Sequence, residues 1–120
     1  MAHGEFLRAE THDDVLVYHV QRDWTQAPLE ADERAMLGYA EKLNRAPASI
    51  VEEDVAALRA AGFDGRGVLD IVLIVSLFNF MNRLADGLGL CPDEKFVKGR
   101  ERGDARTREQ MQSTQAAARS

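Results

Sequence analysis

The 120-residue chain holds a single cysteine, Cys91, so no disulfide can form within it. It has no G-x-G-x-x-G stretch, no P-loop and no Ser-His-Asp pattern. Dinucleotide binding, phosphate cradling and triad acyl transfer therefore have no basis in the residues. The segment GFDGRG, residues 62–67, supplies glycines but follows no strand, which removes it as a phosphate loop. No basic start followed by an apolar run marks a secretory signal. The longest apolar stretch, Val68 to Met81, contains Asp70 and falls short of the ~20 residues needed to cross a bilayer. The expected location is the cytoplasm, with no membrane partner. Internal repeats are absent, and no bounded alternation of apolar and polar residues suggests a strand. Three scattered histidines, with no tight ligand spacing and one cysteine, give no zinc site, and no cofactor is expected.

The charge is uneven. From Lys95 onward there are 7 Lys/Arg and 3 Asp/Glu, and the preceding residues hold 8 and 17. An acidic body does not favour nucleic acid, because phosphates must be met by positive charge. The basic segment 95–120 has Phe96, Val97 and Met111 as its only large apolar residues. It is expected to be a disordered or loosely helical tail, solvated rather than packed. A partial helical domain over 1–94 is then expected to hold the core. So small a domain has modest stability alone, and association with copies of itself is expected.

What is present reads as helix. Ala2 to Ala9 forms one piece, with Phe6 and Leu7 as apolar contacts. Thr11 is placed to cap the next helix, which runs to about Asp23 with Leu16 and Val20 one turn apart. A third helix enters at Pro28, repeats Met36, Leu37, Ala40 and Leu43 at helical spacing, and stops at Pro47. Ser49 to Glu52 has the spacing of a capping box, and Gly62 suits a helix end. Asp64 caps the longest helix, about Arg66 to Leu88, which Gly89 and Pro92 end. Of the 14 residues from Val68 to Met81, 11 are apolar. A helix apolar nearly all round is expected to be buried on most sides, with part of it facing a second subunit.

Three features of this pattern bear on chemistry. Asn79, Asn82, Arg83 and Asp86 stand at i, i+3, i+4 and i+7, one polar stripe on the most apolar helix. Asp86 is within reach of an ion pair with Arg83. The stripe is either a polar wall of a pocket or a structural network tying the helix to a loop or a second subunit. His3, one turn before Leu7, could move a proton near neutral pH, while His12 is expected on the surface and His19 at surface or core alike. Cys91 follows a helix C-terminus, where the dipole disfavours a thiolate, so it is expected to be an inert free thiol.

The stretches HGEFLRAETHDD, YAEKLNRAPASIVEEDVAALRAAGFDGRGVLDIV and LFNFMNRLADGLGL together resemble the peroxidase-related branch of the AhpD-like superfamily, which includes the carboxymuconolactone decarboxylases. The resemblance covers roughly His3 to Leu90. It implies an all-α AhpD-like helical bundle, here truncated at its N-terminus, that assembles as a trimer or larger ring. It also implies a family chemistry in which two cysteines of a C-x-x-C-x-x-x-H motif reduce hydroperoxides. Placed on this chain, the motif histidine falls on His3, and both cysteines would precede Met1. The first residues enter the middle of an amphipathic helix, in keeping with that placement.

Three functions follow as expectations. The first is a peroxidase-related protein, taking a peroxide or small molecule in the family, that as written lacks its redox centre. The second is a non-catalytic helical oligomerisation or binding module. The third is a cysteine-independent, decarboxylase-like acid-base enzyme with His3 as base.

Overall fold

A computed structural model describes residues 2–119, with side-chain surroundings for residues 7–95 and 97–119. Six α-helices follow one another: α1 (Ala2–Thr11), α2 (Asp14–Arg22), α3 (Ala31–Arg45), α4 (Glu52–Ala60), α5 (Gly65–Gly87) and α6 (Glu94–Ala118). Short 3-10 turns at Trp24–Gln26 and Pro47–Ser49 lie between them. No strand occurs among the described residues, and the expected all-α class holds.

The chain forms two compact units, one from residues 29–90 and one from residues 1–28 and 91–120. In the first, α3, α4 and α5 pack together around Tyr39, Leu58, Val68 and Ile71. Met36, Leu43, Val55, Phe63 and Val72 close over that cluster. The sequence pattern finds Met36 and Leu43 but passes over Tyr39, whose ring is the residue of α3 that is buried. Lys42 near the end of α3 reaches the Asp54 carboxylate at the start of α4 at 2.8 Å. Gly62 takes φ +109° after α4, and the Phe63 amide donates to the Leu58 carbonyl as the turn closes. Only glycine adopts that backbone freely. Asp64 then caps α5, accepting from the Gly67 amide at 2.7 Å.

Two caps differ from the expected ones. Thr11 is the last residue of α1, and its hydroxyl donates to the Leu7 carbonyl. The cap of α2 is Asp13, which accepts from the Leu16 amide at 2.9 Å. A carboxylate two residues on outcompetes the hydroxyl because it meets the positive end of the helix dipole with a full charge. Ser49 likewise sits in the 3-10 turn and donates to Ala46. It is the Asp54 carboxylate that accepts from the Val51 amide at the start of α4.

In the second unit α1, α2 and α6 pack on one another, with Val17 and Ala27 fully buried. The stretch expected to be a disordered or loosely helical tail is α6, a continuous 25-residue helix. Asp93 caps it, accepting from the Lys95 amide. Among the described residues its buried positions are Gly103, Asp104 and Thr107, a glycine and two polar residues. That is why a search for large apolar anchors misses them.

The expectation that α5 is buried on most sides is not met. Val68 and Ile71 are its buried residues, whereas Leu69, Leu73, Ile74, Leu77, Phe80, Met81, Leu84 and Leu88 are each half exposed or more. The short α3 and α4 cover one side of a helix of 23 residues, about 34 Å long. By length and composition alone α5 could cross a membrane, longer in this respect than the apolar run read from the sequence. Arg66, Asp70, Arg83 and Asp86 lie along it, each costly in hydrocarbon.

Candidate functional site

Successive residues of an α-helix turn by about 100°, and α5 sorts its side chains accordingly. Val68, Ile71, Val72 and Val75 share one side, of which Val68, Ile71 and Val72 meet the core. Continuing along that same side come Asn79, Asn82, Arg83 and Asp86. The polar stripe is thus the C-terminal continuation of the packing face, beyond the reach of α3 and α4. Opposite it lies the exposed apolar face.

The stripe is wired within its own helix. Asn79 donates to the Val75 carbonyl at 2.9 Å, and Arg83 donates to the Asn79 side-chain oxygen at 2.8 Å. The expected ion pair between Arg83 and Asp86 is absent among the described residues. Arg83 reaches back one turn to an amide oxygen instead, an i−4 partner on its own side of the helix. Asn79 is half-buried, and Asn82, Arg83 and Asp86 are exposed. Solvated groups of this kind line no enclosed pocket.

His3 belongs to α1, and its side chain, like that of Phe6, lies outside the described residues. His12 is exposed with φ +52° in the joint between α1 and α2. His19 is half-buried, its ring edge-on to Tyr18. Cys91 is an exposed free thiol in the link between α5 and α6. Among the described residues no three His, Cys, Asp or Glu gather to hold a metal ion.

A second polar constellation lies where α1, α2 and α6 meet. Arg8 is buried, its Nε 2.7 Å from Asp14 Oδ1. Asp104 is also buried and accepts from Arg22 at 2.7 Å, and the Arg22 guanidinium lies over the Tyr18 ring. Thr107, fully buried, donates to the Gly103 carbonyl at 3.0 Å and stands 3.4 Å from the Asp14 carbonyl. The sequence reading missed all of these. The available signal was G-D-x-x-T, a small residue and two hydrogen-bonding ones on one face of an otherwise charged helix.

No family model matches the sequence, and no curated protein matches it either. Solved structures do. A peroxidase-related protein of uncharacterised function from Silicibacter sp. TM1040 superposes with a TM-score of 0.73 at 36% identity, over 78% of this chain and 49% of that one. An uncharacterised peroxidase-related protein from Ralstonia eutropha JMP134, described as an alkylhydroperoxidase AhpD core, gives 0.71 at 33%, over 79% and 50%.

Over the matched residues the chain is similar in fold and sequence to these peroxidase-related, AhpD-like structures. It spans about half the length of the peroxidase-related structures it matches. What the chain presents within that span is a scaffold with one exposed thiol, a polar stripe in which Asn79 and Arg83 bond within their own helix, and a long exposed apolar helix face.

Proposed function

We propose that the chain serves as an assembly module of an AhpD-like, peroxidase-related protein, with the apolar face of α5 joining copies into a trimer or larger ring. The observation that carries this reading is the exposure of Leu69, Leu73, Ile74, Leu77, Phe78, Phe80, Met81, Leu84 and Leu88 along a single helix. At on the order of 100 Å² each, they amount to roughly 900 Å², against the ~800 Å² per partner of a standard interface. Soluble monomers rarely leave so large a contiguous apolar patch in water.

Hydroperoxide reduction by a dithiol cycle needs two thiols, one to form the sulfenic acid and one to resolve it. The 120 residues contain one. This chain alone is therefore expected to show no thiol-dependent hydroperoxide turnover, and turnover that persists in Cys91→Ser would count against the reading.

The direct test replaces Leu77 and Leu84 together by Lys. Both are exposed, so the isolated fold should keep its helix content while sedimentation shifts from oligomer to monomer. An unchanged oligomer would refute the assignment of this face. Flotation of the wild-type chain with anionic lipid vesicles, together with a monomer in their absence, would assign the face to a lipid surface instead and refute it equally.

A further inference from the structure

The exposed face of α5 is broader than one neighbour needs. Leu73 and Phe80 form one flank, Ile74 and Met81 the other, and Leu77 and Leu84 the middle, all exposed. At about 100° per residue they span an arc of roughly 120°. A two-stranded pairing uses one seam of apolar residues spaced alternately three and four apart. This helix carries two, one through Leu73, Leu77, Phe80 and Leu84 and one through Ile74, Leu77, Met81 and Leu84. A face with two seams meets a separate neighbour on each flank, which suits a closed ring.

The same face is marked at one end. Arg66 and Asp70 are the charged residues of this arc, each within about 20° of its middle. Arg83 and Asp86 belong to the opposite side of the helix. Arg66 Nε stands 3.2 Å from Asp70 Oδ1, one turn along, and both side chains are exposed. An exposed pair of this kind adds little to the helix that bears it. It does make the two ends of the apolar face unlike: charged over the first turns, and leucine at Leu84 and Leu88.

We infer that the α5 helices of the assembly run parallel around its rotation axis, each touching two copies, with Arg66 of one copy set against Asp70 of the next. The inference deepens the assembly reading above and rests on it. In a parallel arrangement like ends meet, so positive and negative charges alternate around the axis while Leu77 and Leu84 pack on their own counterparts. In an antiparallel arrangement centred on Leu77, position 66 meets position 88 and position 70 meets position 84. The ion pair would then be pressed onto Leu88 and Leu84, losing hydration with no new partner. Sliding the helices past one another to avoid this leaves Leu69 and the first turns of α5 unpaired, and part of the apolar face returns to water. A polar position in an otherwise apolar seam sets register and orientation in this way.

The test reads orientation from spin-label distances in the full-length chain. Gly65→Cys, in a Cys91→Ser background, places a nitroxide at the start of α5. A Cβ there would meet nothing within 4 Å, and the position lies about 120° from the middle of the apolar arc, clear of the contact. Parallel helices with axes about 8–10 Å apart should give label separations below about 25 Å. An antiparallel arrangement centred on Leu77 puts the two positions about 36 Å apart, and that result would overturn the proposal. A second arm needs no label. Arg66→Asp sets like charges against each other around the axis and should weaken association at least about tenfold by sedimentation. Adding Asp70→Arg restores the alternation and should bring association back to within about threefold of wild type. Unchanged association in the single variant, or no recovery in the double one, would overturn the role of the pair. Sedimentation of the wild type separates this failure from the earlier one: an oligomer with long label distances rejects the parallel arrangement alone, and a monomer rejects the assembly reading on which it rests.

Discussion

The guanidinium of Arg8 occupies the space in which a side chain at position 103 would begin: a Cβ on Gly103 would stand 2.5 Å from Cζ and 2.6 Å from Nη1. A glycine in the middle of a 25-residue helix is otherwise a cost, about 1 kcal/mol relative to alanine. Here it lets a buried cation approach the helix backbone while Asp14 holds that cation from the other side.

Gly103→Ala therefore sets two effects against each other. Helix propensity favours the variant by about 1 kcal/mol, and overpacking opposes it by about 1–3 kcal/mol. The guanidinium is tied to Asp14, so the crowding should win. A net loss of about 1 kcal/mol in α6 protection is expected by hydrogen exchange. Gly87→Ala is the contrast, because a Cβ there would meet nothing within 4 Å. It should leave stability unchanged or raise it by about 0.5–1 kcal/mol.

Leu58 is the largest fully buried side chain among the described residues, and it belongs to the cluster that joins α3, α4 and α5. Leu58→Ala should cost about 2–5 kcal/mol by chemical denaturation, from lost transfer energy and the cavity left behind. Leu77→Ala, on the exposed face of α5, should cost a dissociated chain less than about 0.5 kcal/mol and should instead weaken association.

The Asp54 carboxyl is held below its usual value of 3.8, first by the Lys42 ammonium hydrogen-bonded to it and then by the Val51 amide. A lowered folded-state value means that the unfolded chain binds the proton more readily. The pair therefore contributes its full stability above about pH 4, and that contribution is lost as pH falls through the depressed value. Asp54→Asn should flatten the acid side of the stability profile between about pH 4 and pH 2, leaving its slope above pH 5 as in wild type. A profile as steep as wild type in the variant would assign the acid sensitivity to other carboxylates.

Helix content and most boundaries were legible in the residues, because Gly62, Asp64 and Gly89 act through their own backbone or their nearest neighbours. The caps at Asp13 and Asp54 were less so, since each competes with a hydroxyl nearby and the winner depends on charge at the helix end. A part of α5 facing a second subunit was expected, but the extent of its exposure was illegible for a different reason. Periodicity reports which residues avoid water but not what covers them, and an all-apolar helix reads the same whether its cover is another helix or another copy. At the polar stripe, spacing located Asn79 and Arg83 correctly on one side of the helix, yet it does not choose between Asn79 and Asp86 as Arg83's partner, because each lies about one turn away. The seat of α6 escaped because its anchors are Gly103, Asp104 and Thr107, residue types that composition assigns to a solvated segment.

The most direct measurement is sedimentation equilibrium of the wild-type chain from about 1 to 100 μM without lipid or detergent. The apolar face of α5 predicts a defined trimer or larger species that persists at moderate salt, because burial of apolar surface is not screened. A folded monomer throughout that range, with Leu77 and Leu84 still in water, would contradict the account.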